Sequence, residues 1–563
     1  MKIFIIVLLG AAVSYSQETA QRERLNVLYN EITWLSQNNL TELTPGKPIK
    51  CGFELYSQVK THINSFTPSQ QKKLLKILQR PSLQTSILSP SGHFRIHFDT
   101  TGANAPEYDN LSVQQSVDSV AAAADYAYNF EVSHLGYPPA PPDFGAGGDN
   151  SYDIYIMNSG GSEYGYTEPD ELISAADSTY TAFTVIDNAY LAKYFPTTGL
   201  NGAKVTVAHE YHHGIQIGNY ILRYNLDAFF YELTSVSMET FVYPGIPDYY
   251  NYLPYYFEDP IFAFGCIDCS GSEQEYALAI WNIFMKQRFG YDIIKKQWQL
   301  MPKERALYAI DGGLKEYGSS FKKEFTIFSS WLYFTNYRYV PEKYFPAAAN
   351  YPILKPTSTI SFDSQSKTVS MNAYPTSQNF IRFVNPNNND TLSIIIINSN
   401  TQQGVNNLNS TTSFKYDLYD NPQAGSSRIT DQYYSAFNSG SLNDWAETDI
   451  LNNQIERIDT TSPGVIADVN YAYPNPFYYG KDLKIDIPAK ANIQDNVYVN
   501  VYSVSMNLVY SGNLSATQGP AQNIVVEWTN PRENNGAKLA SGIYIYFTKD
   551  GNNTTTGKIA IIK

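Results

Sequence analysis

The chain has 563 residues and a formal net charge of −14 at pH 7. A chain of this length is expected to fold into roughly three or four domains. The acidic balance and the lack of a basic cluster exclude a nucleic-acid-binding protein, and they exclude a protein that binds anionic membranes through charge. The acidic charge favours solubility and identifies no substrate.

The first sixteen residues have the composition of a secretory signal peptide. Lys2 precedes an apolar run over residues 3–13, and the small residues Ser14 and Ser16 follow that run. The run is too short to span a bilayer, and no later apolar stretch reaches the necessary length. The sequence therefore predicts cleavage after Ser16 and a secreted or cell-surface protein without a transmembrane segment.

Residues 17–90 are predicted to form a helical N-terminal segment, because their apolar residues recur at helical spacing. Helices are expected over residues 19–37, 55–65 and 68–78. In the third helix Ser69 is the expected N-cap. The leucines expected to be buried there are Leu74, Leu75 and Leu78. The segment is either a removable propeptide or an integral layer of the next domain, and the sequence leaves both open.

Residues 91–345 mix strand and helix patterns, which indicates an α+β domain. Apolar alternation predicts strands at 91–98, 152–157 and 180–186, and helical spacing predicts a helix over 112–132. The domain is therefore expected to pack helices against a sheet.

The motif His209-Glu210-x-x-His213 is the most informative feature of this domain. It lies in a predicted helix over residues 202–217, where positions four apart share a face, so the two histidines can bind one metal ion. Glu210 lies beside the first histidine and can accept a proton from water. His212 is an alternative ligand, but His213 is preferred because that register leaves Glu210 as the base.

Glu232 follows the motif after eighteen intervening residues, on a second predicted helix over 225–241. Glu239 lies seven residues further on, hence on the same face of that helix. A bend between the two helices could bring Glu232 to the histidines. Two imidazoles and a carboxylate are the ligands of a catalytic Zn²⁺ site, so zinc is the predicted cofactor.

The spacing of these residues resembles that of the gluzincin metallopeptidases, particularly the aminopeptidase-type branch. It is also similar to a group of secreted bacterial metalloproteases, through the pattern His209-Glu-x-x-His213-x-x-Gln216 followed by Glu232-x-x-Ser235-x-x-x-Glu239. The resemblance covers about residues 91–345 and implies a zincin-like fold. It implies zinc ligands at His209, His213 and Glu232, with Glu210 as general base.

The chain departs from the family pattern at two places. Tyr231 stands where an asparagine often precedes the third ligand, and no Gly-x-Met-Glu-Asn segment precedes the motif. That segment supplies the glutamate that binds the free amino end of a substrate. Its lack disfavours an aminopeptidase and favours cleavage within chains.

The resemblance also implies how substrate is held. Tyr276 opens a predicted helix similar to the one that carries the oxyanion-stabilising tyrosine in aminopeptidase-type relatives. A phenol is a suitable hydrogen-bond donor to the developing charge, so Tyr276 is a candidate catalytic residue, although most tyrosines of this chain are expected to pack or face solvent. The strand at 180–186 is expected to be the cleft edge that pairs with substrate backbone.

Three cysteines occur in the chain. Cys266 and Cys269 are close enough in sequence for a local disulfide, which export would permit, and this pairing leaves Cys51 odd. A structural zinc site would need a second cysteine pair, and a thioredoxin-type redox site would need a βαβ context. A disulfide is therefore the preferred interpretation.

The composition changes at about residue 346, where helical patterns give way to short strands rich in Asn, Ser and Thr. Strands are predicted at 378–384, 392–398 and 412–418, so residues 346–460 are interpreted as a β-sandwich-like domain. Residues 460–464 have the composition of a linker.

Residues 465–563 have the alternation and turn spacing of a small all-β sandwich. Their motifs resemble those of the C-terminal sorting domain of the type IX secretion system: Tyr473-Pro-Asn-Pro-Phe477, Ser541-Gly-Ile-Tyr544 and Lys558-Ile-x-Ile-Ile-Lys563. The resemblance implies secretion machinery as a partner and export across an outer membrane. An ordinary immunoglobulin-like accessory domain is the alternative.

The predicted fold class is thus a zincin-like α+β catalytic domain followed by two all-β sandwich-like modules. The predicted function is that of a secreted zinc-dependent endopeptidase acting on protein or peptide substrates. Two alternatives remain. One is a surface adhesion or carbohydrate-binding protein with a degenerate peptidase domain, against which the intact Glu210 argues. The other is a zinc hydrolase with a non-peptide substrate.

Overall fold

A computed structural model shows a multidomain chain with helices and several β-sheets, divided into two compact units. The first unit comprises Met1–Glu258, Phe262–Phe328 and Thr401–Leu408, and the second comprises Asp259–Ile261, Ser329–Asn400 and Asn409–Lys563. The structure describes residues 21–36, 49–266, 273–361, 366–384, 391–409, 411–419, 434–436, 472, 474–479, 482–503, 507–518, 524–551 and 553–563. The predicted signal peptide and the linker at 460–464 lie outside these ranges.

The α-helices of the described residues lie in the first unit, except that the last residues of α12 belong to the second. They are α1 (residues 21–36), α2 (Phe53–Thr61), α3 (Pro68–Ile77), α4 (Val113–Tyr128), α5 (Gly199–Asn219), α6 (Tyr224–Val242), α7 (Leu253–Glu258), α8 (Gln274–Ala277), α9 (Ala279–Phe289), α10 (Asp292–Leu300), α11 (Ala306–Glu316), α12 (Phe321–Tyr333) and α13 (Thr401–Asn406). None of the helices in the described ranges is long and apolar enough to cross a membrane.

A five-stranded sheet forms the other layer of the first unit. Its strands are β1 (Thr85–Leu88), β2 (Phe94–Phe98), β3 (Tyr152–Met157), β4 (Gly165–Ser174) and β5 (Thr179–Asp187), in the order β1-β2-β3-β5-β4. The three central strands are parallel, and the two outer strands are antiparallel to their neighbours.

The prediction that the strand at 180–186 is the cleft edge is wrong. This strand is β5, which pairs with β3 on one side and with β4 on the other, so β4 is the edge strand. β5 is almost wholly buried, as expected for an interior strand. Distance along the sequence from the motif helix does not distinguish an interior strand from the edge strand.

Helices α4 and α5 pack against the sheet and against each other, and α6 packs against α5. α5 is buried along nearly all of its length. Its glycines permit this close approach, because a Cβ atom on Gly214 would lie only 2.7 Å from the hydroxyl of Tyr152. The consequence is that the His-Glu-x-x-His motif lies in the interior between the sheet and α6.

The predicted helical N-terminal segment packs in the same unit as these elements. α2 packs against β4 and α6, and α1, α2 and α3 share a core that includes Ile32, Val59 and Leu74. Two details of the prediction for α3 are wrong. The N-cap is Thr67 with a reciprocal capping box, not Ser69, because Pro68 takes the first helical position. Leu75 is 55% exposed, whereas Leu74 and Leu78 are buried.

Cys266 is disulfide-bonded, as the sequence predicted for this residue. Its predicted partner, Cys269, lies outside the described residues. Cys51 is a free thiol and is buried.

The second unit contains the remaining described strands. They are β6 (Ser358–Ser361), β7 (Ser366–Ala373), β8 (Ser377–Val384), β9 (Thr391–Asn398), β10 (Thr412–Tyr419), β11 (Tyr434–Ala436), β12 (Phe477–Tyr478), β13 (Lys484–Pro488), β14 (Asn496–Ser503), β15 (Leu508–Gln518), β16 (Ile524–Thr529), β17 (Gly542–Asp550) and β18 (Asn553–Ile562). The strands predicted at 378–384, 392–398 and 412–418 are confirmed as β8, β9 and β10. They belong to three-stranded sheets of order β6-β8-β9 and β11-β10-β7.

The last seven strands form one sheet of order β12-β18-β17-β14-β15-β16-β13. Its long strand β15 pairs first with β14 and then, through residues 516–518, with β16. This change of partner folds the sheet over a common core that includes Val499, Trp528 and Tyr546. The C-terminal part therefore has its own apolar core.

Candidate metal centre

Helices α5 and α6 bring the three predicted ligands to one point. His209 and His213 are about one turn apart on α5, so their side chains leave the same face, and their Nε2 atoms lie 3.1 Å apart. Glu232 on α6 places Oε2 3.3 Å from Nε2 of His209 and 3.6 Å from Nε2 of His213. All three side chains are buried. Their donor atoms thus converge in the protein interior.

The spacing of these atoms fits a zinc ion. Two nitrogen ligands at about 2.0–2.1 Å from a tetrahedral zinc lie roughly 3.3 Å from each other. The two histidine nitrogens are 3.1 Å apart, and the carboxylate oxygen is at comparable distances from both. Two imidazoles and one carboxylate also form a ligand set found in catalytic zinc sites. The residues therefore fit the metal that the sequence predicts.

The sulfur of Cys51 belongs to the same cluster. The ligand atoms of Cys51, His209, His213 and Glu232 all lie within 4.8 Å of one another. Burial raises the pKa of the Cys51 thiol, and the charges of Glu210 and Glu232 raise it further. The position of Cys51 in this cluster was not predicted from the sequence. An odd cysteine in an exported chain indicates a free thiol, but it does not reveal which distant residues the thiol contacts.

Glu239 fixes the orientation of His209. Oε1 of Glu239 lies 2.7 Å from Nδ1 of His209, which leaves Nε2 facing the cluster. Glu239 also forms a buried ion pair with Lys50, at 3.0 Å. A carboxylate in this position fixes the ring tautomer and increases the basicity of the ligating nitrogen. Glu239 thus links the histidine to the N-terminal segment.

Gln216 and Ser235 hold His213 in the same way. Oε1 of Gln216 lies 2.7 Å and Oγ of Ser235 3.2 Å from Nδ1 of His213. Gln216 in turn donates from Nε2 to the backbone oxygen of Tyr231, at 3.2 Å. Phe53 stacks on the ring of His213 with centroids 4.1 Å apart. Gln216 and Ser235, which follow the motif in the sequence pattern, therefore position His213.

The histidines and carboxylates of the cluster shift each other's pKa values. Burial alone lowers the pKa of His209, but hydrogen bonds to Glu232 and Glu239 outweigh burial and raise the pKa to about 9. Burial alone raises the pKa of Glu232, but the two histidines outweigh it and lower the pKa to about 2. The first shift reflects stabilisation of positive charge on His209 by the carboxylates, and the second reflects stabilisation of negative charge on Glu232 by the two histidines.

Glu210 lies on α5 facing the sheet. The hydroxyl of Thr167 on β4 lies 2.8 Å from Oε2 of Glu210 and 2.8 Å from its backbone oxygen. Nearby, burial raises the pKa of Glu163 to about 8, and the charges of Glu210 and Asp187 add to this shift. Thr167 was not predicted from the sequence, because a threonine in a strand carries no signal of contact with a distant helix.

His212 points away from the cluster. Its Nδ1 atom lies 2.7 Å from Oε2 of Glu131, and its ring makes an edge contact with Tyr137. Burial lowers the pKa of His212 well below its ordinary value, and the charges of His213 and His209 lower it further. The structure therefore places His212 in a packed position against Glu131 and Tyr137, outside the cluster of predicted ligands.

Tyr276 lies on α8, which packs against α6. The side chain is 6% exposed, and its ring lies 5.3 Å from that of Tyr252. Burial raises its pKa well above the ordinary value, and the charges of Glu232 and Cys51 add to the shift. The charges of Glu232 and Cys51 therefore act on Tyr276, and the raised pKa leaves its phenol protonated as a hydrogen-bond donor at neutral pH.

Neither a protein-family model nor a curated protein matches this chain. The function must therefore be inferred from the site itself. Two histidines, one glutamate and one cysteine converge there, and Glu210 lies on the same helix as the histidines.

Proposed function

We propose that the protein is a secreted zinc-dependent peptidase that cleaves within protein or peptide chains. The convergence of His209, His213 and Glu232 at zinc-like spacing carries this proposal. The separate position of Glu210, held by Thr167 and not drawn into the ligand set, supports a role as base. The order of the sheet supports a zincin-like arrangement, since an antiparallel edge strand lies beside the motif helix.

A bound zinc ion would lower the pKa of a water molecule and polarise the scissile carbonyl. Glu210 would accept the proton of that water and deliver it to the leaving amine. Thr167 would hold the Glu210 carboxylate in the required rotamer. Tyr276 would donate a hydrogen bond to the oxyanion, since its raised pKa keeps the phenol protonated. The edge strand β4 would pair with the backbone of an extended substrate.

The proposed activity is tested by incubating the purified chain with an unfolded protein, with and without a metal chelator. Cleavage that stops with chelator and returns with added zinc supports the peptidase. Zinc binding without cleavage, in a chain whose site is open to substrate, indicates a non-peptide hydrolase. No zinc and no cleavage indicates an adhesion protein with a degenerate peptidase domain.

Replacing His213 by alanine in a chain that already carries Cys51→Ala is expected to remove zinc, because only two donors of the cluster, His209 and Glu232, are then left to hold the ion. Metal analysis should give about one zinc per chain for Cys51→Ala and a small fraction of that when His213→Ala is added. His212→Gln is the matched control on the same helix, at a histidine that contacts Glu131 outside the cluster, and it should retain zinc. Full zinc in the doubly substituted chain would refute the ligand assignment.

Residues 465–563 are proposed to direct export. Their sheet has its own apolar core, and none of the proposed catalytic residues lies beyond Tyr276. A chain that ends at Gly464 should bind zinc as the full chain does, yet accumulate inside the outer membrane of the native host. Fractionation of the host cells measures this distribution. Normal appearance of the shortened chain at the surface would instead make this part an accessory β-domain.

A further inference from the structure

Residues 49–53, named the plug segment, lie directly over the cluster. Cys51 in the middle of this segment is 3% exposed, and its sulfur is within 4.8 Å of the ligand atoms of His209, His213 and Glu232. A cysteine sulfur, two imidazole nitrogens and a carboxylate oxygen make four donors, which is the number that closes a tetrahedral zinc site. A catalytic site keeps one of those four positions open.

The backbone of the plug segment occupies the start of the sheet edge. The amide of Ile49 donates to the oxygen of Ser162 at 2.7 Å, and the amide of Tyr164 donates to the oxygen of Ile49 at 3.0 Å. The amide of Gly52 donates to the oxygen of Gly165, the first residue of β4, at 2.9 Å. An extended peptide added to this edge would need the same backbone groups. The plug segment and a substrate therefore exclude each other here.

Side chains on both sides of Cys51 hold the segment down. Nζ of Lys50 lies 2.6 Å from Oδ2 of Asp248 and 3.0 Å from Oε1 of Glu239, with both pairs buried. Phe53 stacks on His213. Two contacts at the cluster thus hold the segment that carries the thiol. Phe53 stacks on the predicted ligand His213, and Lys50 pairs with Glu239, which orients His209.

We propose that the plug segment makes the full chain a latent precursor, in which the Cys51 sulfur is the fourth ligand of the metal and the backbone blocks the substrate edge. This inference rests on the proposed zinc site and adds its regulation. On activation the metal–sulfur bond breaks, a water molecule takes the vacated position, and the thiolate takes up a proton from solvent. Agents that remove the segment or modify the thiol would therefore activate the protein.

Cobalt substitution tests the sulfur ligand without relying on activity. The full chain loaded with Co²⁺ should show the near-ultraviolet charge-transfer absorption of a cobalt–thiolate bond, and Cys51→Ala should lack it while still binding the metal through three protein donors. A wild-type chain that binds Co²⁺ without this absorption would overturn the inference and leave the zinc site intact. A chain that binds neither Co²⁺ nor Zn²⁺ would instead refute the proposed function.

Peptidase activity tests the latency. Cys51→Ala should cleave an unfolded protein roughly tenfold faster or more, because activity scales with the fraction of chains whose site is open. An organomercurial should activate the wild type and leave Cys51→Ala unchanged, since Cys266 is already disulfide-bonded. Equal activity of the wild type and Cys51→Ala, with the cobalt–thiolate absorption present, would make Cys51 a permanent structural ligand and overturn the inference.

A second variant loosens the segment while keeping the thiol. A Cβ atom on Gly52 would lie 2.5 Å from Oε2 of Glu163 and 3.0 Å from Cβ of Tyr166, so Gly52→Leu should push the segment off the β4 edge. The Gly52 backbone tolerates a side chain, since its φ is −80°. Gly52→Leu should raise activity and weaken the cobalt–thiolate absorption. Gly245→Leu is the control, because no atom lies within 4 Å of a Cβ there. If Gly52→Leu keeps the metal but gains no activity, the segment does not block the substrate.

Discussion

Replacing Glu210 by glutamine is expected to abolish proteolysis while leaving the zinc content unchanged. Glutamine keeps the shape of the side chain and its hydrogen bond with Thr167, but it cannot accept a proton. General-base catalysis supplies roughly a hundredfold or more, so kcat should fall by at least that factor. The measurement is steady-state hydrolysis of an unfolded protein, with metal analysis of the same sample. It is made in chains carrying Cys51→Ala, so that latency does not conceal the difference.

Tyr276→Phe is the informative comparison for this variant. It removes one hydrogen-bond donor and keeps the ring that packs near Tyr252, so it should lower kcat with little change in KM if the phenol stabilises the oxyanion. Glu210→Gln should be the more severe of the two. Near-normal turnover in Glu210→Gln, with zinc retained, would show that another group activates the water and would remove the main support for the assigned mechanism.

The convergence of His209 and His213 was predictable because the relevant information is local. A helix places His209 and His213 on one face, and that geometry follows from the spacing alone. The same reasoning leaves His212 uncertain, because positions three and four residues away lie on neighbouring parts of one face. The structure places His212 against Glu131, so contacts with a distant element determine which side of the helix faces the cluster.

The residues that orient the two histidines could be picked out in the sequence, but their roles could not be predicted. Gln216, Ser235 and Glu239 belong to the sequence pattern that resembles the secreted metalloproteases, and each lies within hydrogen-bonding distance of Nδ1 of a histidine. Such roles depend on how two helices face each other, and helix packing is set by side chains along the whole interface. Spacing within one helix does not contain that information.

The edge strand β4 and the position of the Cys51 thiol were not predictable for a related reason. β4 contains Pro169 and several acidic residues, which weaken a strand pattern. Its position at the sheet edge depends on pairing with β5, and the order of strands is a tertiary property. Cys51 reaches the cluster only because the plug segment pairs with residues 162–165, and no periodic pattern in the sequence marks that pairing.

Replacing Lys50 by alanine is expected to produce the largest loss of stability of any single change in the plug segment. Burial alone would lower the pKa of Lys50, but the charges of Asp248 and Glu239 outweigh burial and raise it above the ordinary value. The ammonium group also lies 4.7 Å from the ring centre of Tyr164. Removing one partner of such a buried network leaves carboxylates without their counter-charge, which costs about 3–5 kcal/mol.

Denaturant unfolding of the full chain measures this loss through the midpoint of the transition that melts the first unit. Lys72→Ala, at an exposed position on α3, is the matched control and should leave the midpoint unchanged. A shift for Lys50→Ala no larger than that of the control would show that the network contributes little.

A large shift has a functional consequence, because Lys50 adjoins Cys51. The ion pairs that stabilise the full chain would then also oppose release of the thiol, so Lys50→Ala should make the chain easier to activate as well as less stable.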